Sequence, residues 1–183
     1  ELKGELTGIY QIKNTNTILT AVRHLVSMGY SIKKEDVYKG LAHVSELTGL
    51  KGRWQTLQKS PLVICDTGHN VGCFEYISQQ LVQVPCKKLR IVIGMVKDKE
   101  IATVLHMLPQ NAEYYFTQAS VERAVPVKEF AESATREGLS GRCFRSVSDA
   151  YNKAIEDANN EDFIFVGGSS YIVADLLKYI EKE

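Results

Sequence analysis

The sequence predicts a doubly wound, mostly parallel α/β domain with helices on both faces, preceded by a helical segment. Two observations predict it. From residue 60 onward, short continuous apolar runs alternate with stretches whose apolar residues recur at helical spacing. Apolar runs without a polar alternation belong to strands covered on both faces, and right-handed crossovers then wind the sheet twice. The first sixty residues, by contrast, carry helical periodicity with no strand that clearly accompanies it.

The elements follow in order. Ile18, Leu19, Val22, Leu25 and Val26 mark one amphipathic helix, and Val37, Leu41, Val44 and Leu47 a second, with Gly29 and Ser31 between them. Their apolar faces need a partner outside the α/β domain, so residues 1–50 read as the tail end of a preceding domain and 51–183 as the α/β domain. Leu50 to Pro61 forms the connection plus a possible edge strand. Leu62–Cys65 is the first core strand, followed by a helix carrying Phe74, Ile77 and Leu81. Leu89–Ile93 precedes a helix with Ile101, Val104, Leu105 and Leu108, and Tyr114–Phe116 precedes one with Val127, Phe130, Ala131 and Ala134. Cys143-Phe144 is a weaker strand before Ala150, Ala154, Ile155 and Ala158. Phe163–Val166 leads into a last helix with Ile172, Leu176, Tyr179 and Ile180.

Composition narrows the function classes. The 183 residues are 44% hydrophobic and 24% charged, ample for one core. Lys plus Arg and Asp plus Glu stand at 22 each, so bulk charge points neither to nucleic acid nor to an anionic membrane. No apolar run approaches the ~20 residues of a bilayer span, and no signal peptide is visible. Glu1 without a methionine reads as the start of a piece of something longer. Cys65, Cys73, Cys86 and Cys143 show no metal or disulfide spacing. Cys65 and Cys143 read as buried small hydrophobes, and a reducing cytoplasm is the expected compartment. No metal site is expected in this chain.

In an open parallel sheet, ligands bind beyond the carboxyl ends of the strands. There stand Asp66-Thr67-Gly68-His69-Asn70, Gly94-Met95-Val96-Lys97-Asp98-Lys99, Thr117 to Arg123, and Gly167-Gly168-Ser169-Ser170. Each has a plain structural reading: Asp66 as a helix cap, His69 as a surface histidine, 97–99 as a solvated turn, Gly167-Gly168-Ser169 as strand-to-helix chemistry. Their concentration on one edge favours a site. Neither the dinucleotide fingerprint nor the G-x-x-x-x-G-K-[ST] phosphate loop occurs in the chain.

The motif set resembles the folylpolyglutamate synthase/dihydrofolate synthase branch of the Mur ligase superfamily, in its carboxyl-terminal portion. Asp66 to Asn70 resembles the family's Asp-Gly-Ala-His-Asn-Pro segment, and Gly52-Arg53-Trp54 its Gly-Arg-aromatic step. Gly94 to Glu100 is similar to its Gly-hydrophobic-x-x-Asp-Lys-Asp loop, Arg123-Ala124 to its Arg-Ala pair, and Gly168-Ser169 to the Gly-Ser opening the last helix. Gln11 and Asn14 match its Gln-x-x-Asn motif. Thr67, Gly68 and Val71 replace the usual Gly, Ala and Pro, and Glu100 the usual Asp.

The resemblance implies a Rossmann-like domain after a helical remnant of an ATPase domain. It also implies a cytoplasmic, ATP-dependent carbon–nitrogen ligase that phosphorylates a folate or pteroate carboxylate. L-glutamate would then attack the acyl phosphate. Arg53 would contact ATP phosphate, Asp66 the ribose hydroxyls, and Asn70 the adenine side. His69 and Ser169 would orient glutamate, with Lys99 and Arg123 neutralising charge or assisting domain closure. ATP and magnesium are the expected cofactors, with the magnesium ligands, the phosphate loop and most of the pterin pocket in an amino-terminal ATPase domain. The chain alone would therefore be inactive. Two other readings remain: a Mur-type ligase acting on a cell-wall nucleotide precursor, and a non-catalytic nucleotide-binding module.

Overall fold

The computed structural model describes residues 2–97 and 100–182. The chain divides into two compact units, Glu1–Trp54 and Gln55–Glu183.

The first unit holds α1 (Gln11–Ser27), α2 (Lys34–Ala42) and α3 (Val44–Thr48). The periodicity that predicts one second helix is split in two at His43, whose backbone leaves the helical region (φ −133°, ψ 43°). Glu5 explains the break. Its backbone N–H donates to the Leu41 carbonyl at 2.9 Å, and its carboxylate accepts the Ser45 N–H at 2.8 Å. Those two groups would otherwise bond to each other in a continuous helix. None of the three helices contains a buried residue, and Ile12 and Met28 remain more than two-thirds exposed.

The second unit is built on a six-stranded sheet. In chain order it runs β1 (Gln55–Lys59), β2 (Leu62–Cys65), α4 (Val71–Gln83), β3 (Leu89–Ile93), α5 (Ile101–His106), β4 (Glu113–Phe116) and α6 (Val127–Arg136). Then come β5 (Gly141–Cys143), α7 (Val147–Glu156), β6 (Phe163–Gly167) and α8 (Ser170–Ile180). The strand order is β1-β2-β6-β3-β4-β5, parallel except for β1, which pairs antiparallel with β2 at the edge.

Period-2 geometry divides each strand between the two faces. Val63, Cys65, Val92, Tyr115, Ile164 and Val166 pack under α7 and α8 with Ala150, Ala154, Ile172 and Leu176. On the opposite face Phe116 meets Phe130 of α6 edge-on at 5.9 Å, and Phe74, Ile77 and Leu105 are fully buried. Burial of such side chains, each worth about 1.5–3 kcal/mol, sets the strand order.

Cys143 departs from the sequence reading. It is exposed, as is all of β5, because this three-residue strand pairs only with β4 at the sheet margin. Cys65, in a central strand, is buried as expected.

Candidate functional site at the carboxyl edge of the sheet

Strand register sets the site. Cys65 pairs with Val166, Ile93 with Gly167, and Ile93 with Phe116. The residues that follow, Asp66, Gly94, Thr117 and Gly168, therefore leave the sheet at one level. Loops after β2 and β3 pass to the α4–α6 face, while the loop after β6 passes to α8 on the other. The chain parts on either side of β6, the geometry that opens a ligand crevice in this class of sheet.

Glycine permits the crowding of these strand ends. Gly168 has φ +97°, and a Cβ there would lie 2.5 Å from the Gly94 carbonyl oxygen. A Cβ on Gly94 would lie 2.4 Å from the Thr117 carbonyl oxygen. Backbone thus packs on backbone across β6, β3 and β4.

Asp66 is 1% exposed, and its Oδ1 accepts the Gly68 N–H at 2.7 Å. This turn chemistry ties the carboxylate to the loop. Helix capping, one reading of Asp66, falls instead to Asn70, whose Oδ1 accepts the Cys73 N–H at 2.9 Å. Val71 takes the first helical position, where proline is also well accommodated. The His69 ring is half-buried, with Nδ1 3.1 Å from the Thr67 carbonyl oxygen. A carbonyl only accepts, so Nδ1 carries the proton and Nε2 of the neutral ring keeps its lone pair. Burial, reinforced by the Asp66 charge, pushes the Cys65 thiol up to about 12, which removes it as a nucleophile.

Ser169, also 1% exposed, caps α8 by accepting the Ile172 N–H at 3.1 Å. The first amides of α8 have no intrahelical acceptor and form the positive end of its dipole. Loops after β3 and β4 are stitched together: Lys97 N–H donates to the Arg123 carbonyl at 2.9 Å, Val125 N–H to the Met95 carbonyl at 3.0 Å, and Val96 bridges Ala124. This brings Arg123 beside α8, its guanidinium 6.0 Å from the centroid of the Tyr171 ring. Tyr171 also stands at this edge, a neighbour that sequence reasoning missed; its only signal was an aromatic two positions after Ser169. Lys99 lies outside the described residues.

Arg53 belongs to the first unit. With Gln11 and Asn14 it lines a cavity of about 410 Å³ there, and Asn14 Nδ2 donates to Gln11 Oε1 at 2.9 Å. The structure thus unites two motifs that lie some forty residues apart in sequence. Among the described residues, no group of three or more His, Cys, Asp or Glu side chains is placed to hold a metal ion. No helix among them is long and apolar enough to cross a membrane.

A doubly wound sheet with a buried aspartate, closely packed glycines and a capped helix start at its carboxyl edge defines a Rossmann-like α/β domain. The chain belongs to the family described as Mur ligase, glutamate ligase domain, whose profile matches residues 52–170. It is 30% identical over 170 residues to the dihydrofolate synthase/folylpolyglutamate synthase of Escherichia coli, covering 92% of this chain and 38% of that protein. Among solved structures it resembles Escherichia coli FolC in complex with DHPP and ADP, with a TM-score of 0.79 at 30% identity over 92% of this chain and 39% of that one. A bifunctional folylpolyglutamate synthase/dihydrofolate synthase with Mn, AMPPNP and L-glutamate bound matches at a TM-score of 0.76 and 31% identity. That match covers 88% of this chain and 38% of the other. The chain thus spans about two-fifths of the length of these relatives.

Proposed function

We propose that the α/β unit forms the ATP- and glutamate-facing half of the cleft in a cytoplasmic ligase that joins L-glutamate to folate or dihydropteroate through an acyl phosphate. The observation that carries the reading is the meeting of Asp66 and the Ser169-capped start of α8 on paired strands β2 and β6. The relatives named as FolC or as folylpolyglutamate synthase/dihydrofolate synthase supply its chemical frame.

Each residue has a task suited to its chemistry. The Asp66 carboxylate, fixed by the Gly68 amide, accepts hydrogen bonds from the ribose hydroxyls. Arg53, a delocalised cation suited to oxyanions, contacts ATP phosphate. Asn70 borders the adenine side, though its Oδ1 is already committed to the α4 cap. Ser169 and the α8 amides receive a carboxylate of glutamate, where the helix dipole favours negative charge. His69 Nε2 accepts from its ammonium group or takes its proton before attack. Arg123 and Lys99 offset charge at the closing cleft.

ATP, when bound, turns the acceptor carboxylate into a competent electrophile by giving it a phosphate leaving group. The glycine-packed edge and buried Asp66 fit a nucleotide. An amino-terminal ATPase domain supplies the magnesium ligands, the phosphate loop and most of the pterin pocket in this reading.

The test is glutamate-dependent ADP release by the complete polypeptide carrying this domain, with dihydropteroate and tetrahydrofolate offered separately. Asp66→Asn keeps an oxygen for the Gly68 amide but removes the charge. It should raise KM for ATP about 10- to 100-fold, the worth of a hydrogen bond to a charged group. No ADP release by the wild type with either acceptor would end the folate assignment. Residues 1–183 alone should not turn over.

A further inference from the structure

We propose that the α/β unit carries a second ligand site, a pocket between the start of α7 and the carboxyl half of α8 that takes a compact, phosphate-type dianion. It draws on none of the residues given a task in the ligase reading and does not depend on that reading.

The pocket is a cavity of about 310 Å³ bounded by three parts of the chain. Gln118 to Ser120 come from the loop after β4, Arg145 to Ser148 from the turn that leads out of β5 into α7, and Asp175, Lys178 and Lys182 from α8 and its end. Three cations thus line it, Arg145, Lys178 and Lys182, all of them exposed. Among the described residues none of the three forms an ion pair, whereas Lys88, Arg90, Arg142 and Lys153 of the same unit all meet carboxylates. The one acid in the lining, Asp175, is committed to Ser120: its Oδ2 accepts the backbone N–H and its Oδ1 the hydroxyl, each at 2.7 Å. Three formal positive charges against one negative leave the lining with a surplus of two.

Solvation alone accounts for a lysine on a helix, and Lys178 in the last turn of α8 also suits the negative end of that helix dipole. It does not account for Arg145. This residue stands immediately before Ser146, the N-cap of α7, where the dipole is positive and a cation is misplaced unless an anion joins it. Asp149, in the first turn of α7, offsets part of that charge but lies outside the lining.

Donors dominate the walls. Ser146 Oγ accepts the Asp149 N–H at 3.1 Å, which leaves the Val147 and Ser148 amides, the first two of α7, without an acceptor among the described residues. Gln118 commits its Oε1 to the Val127 N–H at 2.9 Å and keeps the N–H donors of its amide. Helix-start amides, a guanidinium fork and ammonium groups are a donor set suited to phosphate oxygens. A phosphate ester carries about 1.5–2 negative charges at neutral pH on three acceptor oxygens, matching both the surplus charge and the donors. A single carboxylate would leave half of that charge and most of those donors unmet.

The Val147 and Ser148 amides report on the pocket directly, whatever binds elsewhere on the complete polypeptide. Their NMR resonances, followed at neutral pH and constant ionic strength, should shift saturably on titration with inorganic phosphate. Arg145→Gln and Lys178→Gln should each weaken that binding about tenfold, the loss of one charge-assisted hydrogen bond. In phosphate-free buffer Arg145→Gln should melt no lower than the wild type, because the arginine opposes the α7 dipole. Glycerol phosphate, titrated in parallel, separates the sources: tighter binding than inorganic phosphate identifies an esterified ligand, equal or weaker binding the free ion, and either upholds the site. Shifts that do not saturate with either compound, an affinity unchanged in both variants, or L-glutamate binding there as tightly as phosphate would overturn it.

Discussion

Thr117 follows β4 directly, its hydroxyl fully buried and without a hydrogen-bond partner among the described residues. Burying a hydroxyl unpaired costs about 1–3 kcal/mol, and valine has nearly the same shape without that demand. Thr117→Val should therefore raise stability by about 1 kcal/mol, read as a higher urea midpoint at unchanged slope. A lower midpoint would show that the hydroxyl is satisfied. Residue-level readings succeeded where strand order alone decides position: Asp66, Ser169 and Arg123 stand at one sheet edge because each follows a parallel strand or its loop. They failed where side chains compete for one partner. That Asn70 rather than Asp66 would cap α4, and that Arg123 would find Tyr171 some fifty residues away, follows from packing that no local pattern encodes.

Elements were legible in proportion to what they bury. β2, β3, β4 and β6 are continuous apolar runs because helices cover both their faces, and the sequence places each within a residue or two. β5 and β1 bury little at the margins, so Cys143 could look like a core residue and β1 like a mere connection with strand potential. The break at His43 was illegible because Glu5, nearly forty residues earlier, takes both backbone partners. Two glycines at element boundaries make opposite predictions. Gly168→Ala must force a methyl toward the Gly94 carbonyl at φ +97° and should destabilise by on the order of 2–4 kcal/mol. Gly72, in the first turn of α4, has open space around its missing methyl, its nearest neighbour being Asn70 Oδ1 at 3.7 Å. Gly72→Ala should stabilise by about 0.5–1 kcal/mol. Thermal melts of the two variants, moving in opposite directions, would separate backbone crowding from ordinary helix propensity; movement in the same direction would refute it.

At the scale of the α/β unit, the chemistry of the carboxyl edge is matched by a charged network at the amino edge. Arg90, buried at the start of β3, donates to Asp162 Oδ2 at 3.2 and 3.3 Å, to the Tyr115 hydroxyl at 2.9 Å, to the Asp157 carbonyl at 2.6 Å, and to Glu113. The Asp157 carboxylate in turn accepts from Tyr115 at 2.9 Å and pairs with Arg142 and with Lys153 at 3.1 Å. One cluster thus ties β3, β4, β5, the end of α7 and the approach to β6. Burial pushes the Asp157 carboxyl up, but hydrogen bonds from Arg142, Lys153 and Tyr115 outweigh it and hold the group at about 2, below its usual 3.8. The sign follows from linkage: a depressed carboxylate adds stability that is complete above its unfolded value and is lost as pH falls through the folded one. Stability should therefore decline as pH drops from about 4 to about 2. Glu113, lowered chiefly by its hydrogen bond from Lys88, loses its share on the same acid side. Asp157→Asn should be less stable than wild type at pH 7 yet show a shallower acid slope, because the side-chain amide it introduces has no proton to gain. Urea unfolding at half-unit steps from pH 6 to pH 2 measures both quantities. Parallel slopes for the two proteins would mean that Asp157 titrates alike folded and unfolded, and that the amino-edge cluster does not bind the sheet margin as its geometry indicates.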